Sequence, residues 1–236
     1  MLQLVVLLAC SWILIRIVEK GDLSVLGLRP TSKRFVHGAV LFLLSAACCS
    51  AGYLTRVFFA EERFVLNPAI DAGLVFTGIW SNVSSVLFEE LLCRGVGLYL
   101  LIKLLGRSWA VLISAVVFAL LHWLNSGVFG DPLQMLLVFA FTFAMGLLLA
   151  YAYARTLSLY YPFAIHFGWN IVQNFIFPDG PIGNTLLVQM LPVPEVTVSY
   201  AVFLSIFLFP KLAAIVLNFF AVRLMTPALK VAPDAS

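Results

Sequence analysis

The chain predicts an all-α fold, a polytopic bundle of about seven transmembrane helices within a range of six to eight. Three observations lead there. Its 236 residues are 63% hydrophobic and only 11% charged, with a mean hydropathy of +1.06, a composition that belongs to integral membrane proteins. Long apolar runs recur along it, several near the ~20 residues that cross hydrocarbon as helix. Those runs lack the alternation of barrel strands, and in lipid only helices and closed barrels satisfy their own backbone groups.

In order, the runs cover residues 2–18, 36–60, 69–105, 109–124, 132–154, 157–177 and 196–224. The first has no basic stretch ahead of it; Arg16 and Lys20 follow, so it is expected to stay as a helix and not to be cleaved as a signal. The run 69–105 is too long for one straight span at ~1.5 Å rise per residue across ~30 Å, so its helix should tilt, break or run on beyond Gly95. Phe209-Pro210-Lys211 allows one kinked helix or two short ones in the last run. Gly146, Ala150 and Ala154, four apart, should let a neighbouring helix approach closely. Residues 1–226 are expected to form one transmembrane domain with its motif core at about 69–177, and 227–236 a flexible tail.

Basic residues fall in alternate loops: Arg16, Lys20, Arg29, Lys33 and Arg34 in the first, Lys103 and Arg107 in the third, Arg155 in the fifth, Arg223 and Lys230 near the end. The intervening loops are poor in Lys and Arg or balanced by acids, as in Glu61-Glu62-Arg63. The positive-inside rule then puts the N-terminus outside and the C-terminus in the cytoplasm. The net charge of +3 reflects that topology, and without a basic patch interleaved with aromatics no nucleic-acid partner is expected. Cys10, Cys48, Cys49 and Cys93 lie within apolar runs, spaced for neither a zinc site nor a disulfide framework, and are expected to be core residues.

Against this background Glu89 and Glu90 stand out, side by side in a stretch fit for the middle of a membrane. A carboxylate at the centre of a span costs roughly 2.5–3.5 kcal/mol on insertion scales, so an adjacent pair reads first as a functional site. Glu90 and Arg94 are four apart and share a helix face, so Arg94 can neutralise Glu90. Glu89 points about 100° away and lacks that partner, which leaves the two carboxylates different tasks. A solvated pair at the end of the span is the plainer alternative. Phe118 and His122 share a face of a short apolar helix, where a lone histidine can equally be a core imidazole bonded to backbone. His166 and Asn170 are again four apart, with Asn174 one turn on; such polar stripes can also glue helices together.

Taken together, Glu-Glu-x-x-x-Arg, then Phe-x-x-x-His, then His-x-x-x-Asn on successive apolar helices resembles the CPBP family of intramembrane proteases. That family includes CAAX prenyl endopeptidases of the Rce1 type and bacterial proteins related to lysostaphin resistance and bacteriocin immunity. The resemblance runs from Phe88 to about Asn174, with Arg94-Gly95 and Trp109-Ala110 also similar. Cys93 stands where an aromatic is common, and Trp123 follows the histidine.

The resemblance implies an intramembrane endopeptidase acting on a membrane protein or peptide, in a multi-pass protein of the bacterial inner membrane. It implies Glu89 as general base with His122 holding the water, His166 and Asn170 as the oxyanion site, and Glu90, Arg94 and Phe118 as its support. No cofactor or metal is expected. Zinc bound by Glu89, His122 and His166 is the competing chemistry, although the chain lacks His-Glu-x-x-His. The competing functions are a non-catalytic immunity-type relative and a proton-coupled transporter. One tension accompanies the site. In simple alternating topology Glu89 lies towards the cytoplasmic end of its span and His122 near the outer end of the next.

Overall fold

The computed structural model describes residues 2–125, 127–177, 185–191 and 195–226. Among these, seven α-helices account for nearly all regular structure: α1 Leu2–Glu19, α2 Ser32–Phe59, α3 Ala72–Arg94, α4 Val96–Leu121, α5 Pro132–Thr156, α6 Tyr160–Ile171 and α7 Tyr200–Met225. Five stretches are long and apolar enough to cross a membrane, one of them the joined α3 and α4. The molecule is thus an all-α membrane bundle, and its outer face is studded with exposed leucines, valines and phenylalanines that suit lipid contact.

Local sequence sets most helix ends. Thr31, Asp71, Asp131 and Ser199 cap α2, α3, α5 and α7, each side-chain oxygen accepting the amide three residues on. Pro132 occupies the first turn of α5, where its missing N–H costs nothing. The long run 69–105 breaks at Gly95, and α4 then starts at Val96, well before the expected Trp109. Inside α4, Gly106 takes φ 76°, a left-handed turn that reverses the chain near the basic residues Lys103 and Arg107. Pro210 lies inside one continuous α7, so the single kinked helix is the form adopted.

The short α6 is central to the bundle. It packs between α2, α3 and α5. A Cβ on its Gly168 would lie 2.4 Å from the carbonyl oxygen of Phe42, so only glycine lets α2 and α6 approach this closely. The small-residue stripe behaves as expected: Gly146 sits against Ala115 of α4, and Ala150 and Ala154 are buried.

One end of the bundle gathers the basic residues. Lys103 pairs with Glu19, Arg155 binds the Thr226 carbonyl, and the Leu159 amide donates to Leu26. At the other end a two-stranded antiparallel pair, β1 Phe64–Leu66 with β2 Leu187–Gln189, closes over the Tyr53–Phe177 stack, an element the apolar pattern does not foretell. Two sequence expectations need correction or set limits. Cys10 is exposed on the outer face of α1, because its helix has few neighbours, whereas Cys48, Cys49 and Cys93 are buried. Lys230 and the expected tail 227–236 lie outside the described residues.

Candidate active site

Three helices build the site. On α3, Glu90 and Arg94 are both fully buried and joined by a hydrogen-bonded ion pair, Arg94 Nη1 to Glu90 Oε1, of 3.1 Å. Burying a charge is costly unless it is paired, so each depends on the other. Glu90 Oε1 also accepts from His166 Nδ1 of α6 at 2.7 Å. Phe118 of α4 completes this inner group: the Arg94 guanidinium carbon lies 4.0 Å from its ring centroid, within cation–π range. Its ring edges meet His122 and His166 at centroid distances of 4.4 and 5.7 Å.

Glu89 faces the other way. Its Oε1 accepts from Ser85 Oγ at 3.1 Å, while Oε2, a buried atom, has no hydrogen-bond partner among the described residues. That oxygen lies 4.0 Å from His122 Nε2 and 3.8 Å from His166 Nε2. Both gaps exceed a direct hydrogen bond and suit a bridging water. His122 Nδ1 meets the Phe118 carbonyl at 2.8 Å, and since a carbonyl only accepts, Nδ1 carries the proton and neutral Nε2 is free to accept. Asn170, one turn after His166, joins Glu89, His122 and His166 in lining a cavity of about 450 Å³.

The topological tension resolves at Gly95 and Gly106. Beyond Glu89 the chain runs on through the first turns of α4, reverses at Gly106, and returns alongside α3; Ser114 Oγ donating to the Cys93 carbonyl at 3.0 Å fixes the register. Glu89 and His122 are each 16 or 17 residues from that reversal, so they arrive at similar depth. A second cavity of about 570 Å³ shares Phe118, His122, His166 and Asn170 with the first and extends between α5 and α7, where Leu137, Val138, Phe141, Met145 and Ile215 make it mainly apolar beside Asp131 and Lys211.

The structure therefore brings together every residue singled out from sequence: Glu89, Glu90, Arg94, Phe118, His122, His166 and Asn170. Asn174, on the π-helical turn Val172–Ile176, lines the same cavity one turn beyond Asn170 and also donates to Asn82 at 3.4 Å. The third histidine, His37, pairs with the Tyr161 hydroxyl away from this centre. Sequence reading missed Ser85, whose position four residues before Glu89 is the signal that could have found it, and Gln173 and Asn125, which line the cavity from a helix end and a loop. Glu89, His122 and His166 have zinc-ligand chemistry, yet among the described residues no group of three His, Cys, Asp or Glu is arranged to hold an ion.

Residues 71–172 match the family model described as Type II CAAX prenyl endopeptidase Rce1-like. Over these residues the chain is similar to that family. Nothing among curated proteins or solved structures matches the chain. The matched segment begins at Asp71, the cap of α3, and ends at Val172, so it contains all seven residues gathered at the site, while α1, α2 and α7 lie outside it. The chain is accordingly a multi-pass membrane protein with a segment similar to the Rce1-like family.

Proposed function

We propose that the chain is an intramembrane endopeptidase in which Glu89 activates a water for attack on a peptide carbonyl. The observation that carries this reading is Glu89 Oε2, unpartnered among the described residues and 3.8–4.0 Å from the Nε2 atoms of two histidines over a shared cavity. Water held between Glu89 and His122 gives a proton to Glu89, and its oxygen attacks the carbonyl carbon. The oxyanion that forms is met by Asn170 and by His166, whose ring is oriented through Nδ1 by Glu90. Collapse breaks the C–N bond, and Glu89 returns its proton to the leaving amine. Glu90 and Arg94 keep His166 and α3 in register.

The mainly apolar cavity between α5 and α7 suits an extended membrane peptide as substrate. The basic end formed around Lys103, Arg155 and Arg223 favours a cytoplasmic placement of that end, with the N-terminus outside, in a bacterial inner membrane.

The broad test compares the membrane proteome of cells carrying the wild type or Glu89→Gln; a membrane protein whose fragments vanish in the variant identifies a substrate. The narrower test takes purified protein and that peptide through chelation and pH. Activity should survive prolonged 1,10-phenanthroline and fall on the acid side, because a general base works only while ionised. Inhibition that zinc reverses would make Glu89, His122 and His166 metal ligands.

A further inference from the structure

Hydrolysis inside a membrane consumes water that the surrounding lipid does not supply, and α3 carries a feature suited to that need. Gly73, Thr77, Ser81, Ser85 and Glu89 follow one another at four-residue spacing, so they form one stripe along the helix. Thr77 Oγ1 donates to the Gly73 carbonyl at 2.6 Å, Ser81 Oγ to the Thr77 carbonyl at 2.7 Å, and Ser85 Oγ to Glu89 Oε1 at 3.1 Å. Each hydroxyl hydrogen is thereby used, and each oxygen keeps lone pairs for a water to donate to. Back-bonding alone is an ordinary way to satisfy Ser and Thr in a membrane helix. Here the last member bonds a carboxylate instead, and the stripe borders a cavity.

That cavity, of about 660 Å³, is lined by Asp71, Thr77, Ser81, Asn82, Ser85 and Asn174 among others. Ser85 and Asn174 also line the cavity that holds Glu89, so the two spaces adjoin. Asn82, more than nine-tenths buried, turns its carbonyl oxygen to Asn174 across this space, and Asp71 at the helix cap lines the cavity's far end. Phe76, Ile79 and Trp80 flank the stripe and are exposed, as Thr77, Ser81 and Ser85 themselves are, so the stripe is a polar line on an otherwise apolar open face of α3. The other approach to the site, between α5 and α7, is mainly apolar, with Asp131, Gln134, Thr142 and Lys211 also on its wall.

We propose that the Thr77–Ser81–Ser85 stripe is the route by which water enters from the Asp71 end of α3 and reaches Glu89, separate from the mainly apolar cavity that takes the peptide. Its part in turnover rests on the hydrolase reading; its wetness does not. Two measurements keep these apart. In nanodiscs, Thr77→Cys and Ser81→Cys are treated with a membrane-impermeant, positively charged methanethiosulfonate and modification is located by peptide mass spectrometry. Both should react at least about tenfold faster than Phe76→Cys and Trp80→Cys, since thiolate forms in water and not in lipid. Equal rates at all four positions overturn the route. In the assay, Ser81→Val should lower kcat about tenfold, an added barrier near 1.4 kcal/mol, with KM unchanged and activity restored by Ser81→Thr. Unchanged kcat in Ser81→Val, or a loss that Ser81→Thr does not restore, overturns supply along the stripe. Full activity in Glu89→Gln sinks the glutamate mechanism and leaves the labelling result standing.

Discussion

Glu89 and Glu90 are neighbours in the chain and opposites in environment. Glu90 is wholly buried, gripped by Arg94 at 3.1 Å and His166 at 2.7 Å, and shielded by Phe118 behind them. Glu89 keeps 29% of its side-chain surface, binds one serine hydroxyl and faces a cavity and two histidine nitrogens across gaps wide enough for water. The helix makes the difference, since consecutive residues point about 100° apart. One carboxylate can thus be committed to structure and the next kept for chemistry. Substitutions that confuse the two roles are the most direct way to break this comparison.

The largest effect belongs to Glu89. Glu89→Gln keeps the size and the bond from Ser85 but removes the base, so kcat should fall by about 10²–10⁴ while thermal stability is unchanged. Kinetics and a melting curve on one preparation would decide it. Activity near wild type would move the base elsewhere.

Next comes the buried pair. Arg94→Ala strands Glu90 as an unpaired charge and should cost ~3–5 kcal/mol of stability. Replacing both partners, Glu90→Leu with Arg94→Met, should regain much of that loss, because well-packed apolar residues often match a buried ion pair. Activity should stay low in the double variant, since His166 loses the acceptor that orients its ring. A fully active double variant would show that Glu90 has no part in positioning His166.

How far this contrast was legible in the sequence differs between its two halves. Glu90 with Arg94, and His166 with Asn170, are i,i+4 pairs and could be read directly, as could the small-residue stripe ending at Ala154. The run 69–105 was legible as too long for one straight span, but tilt, break and continuation stayed open until the structure placed the break at Gly95. The bond from Glu90 to His166 joins residues 76 apart, and nothing local in either motif names the other as partner. The same holds for the β1–β2 pair, where two three-residue segments far apart in the chain meet with no alternating pattern long enough to detect. The π-helical turn after Ile171 was hidden because its residues continue the apolar helical pattern. The mismatch in depth between Glu89 and His122 came from assuming that each apolar run is one crossing; a glycine turn inside α4 made the path longer than that count allows.

The smallest effect tests the residue on which both halves rest. Phe118 is buried with its ring face under Arg94 at 4.0 Å and its edge against His122 at 4.4 Å, so it touches the structural pair and the cavity side at once. Phe118→Leu preserves most of the apolar contact but removes the ring's negative face, which a desolvated guanidinium values at up to ~2 kcal/mol. Stability should fall by about 1–2 kcal/mol, and kcat by a few fold through looser placement of His122, with KM little changed. To separate the cation–π term from packing, Phe118→Leu is combined with Arg94→Met in a double-mutant cycle. A coupling of about 1–2 kcal/mol means the ring stabilises the charge it covers. Strict additivity would reduce Phe118 to a filler, and the inner half of the site would then rest on the Glu90 carboxylate alone.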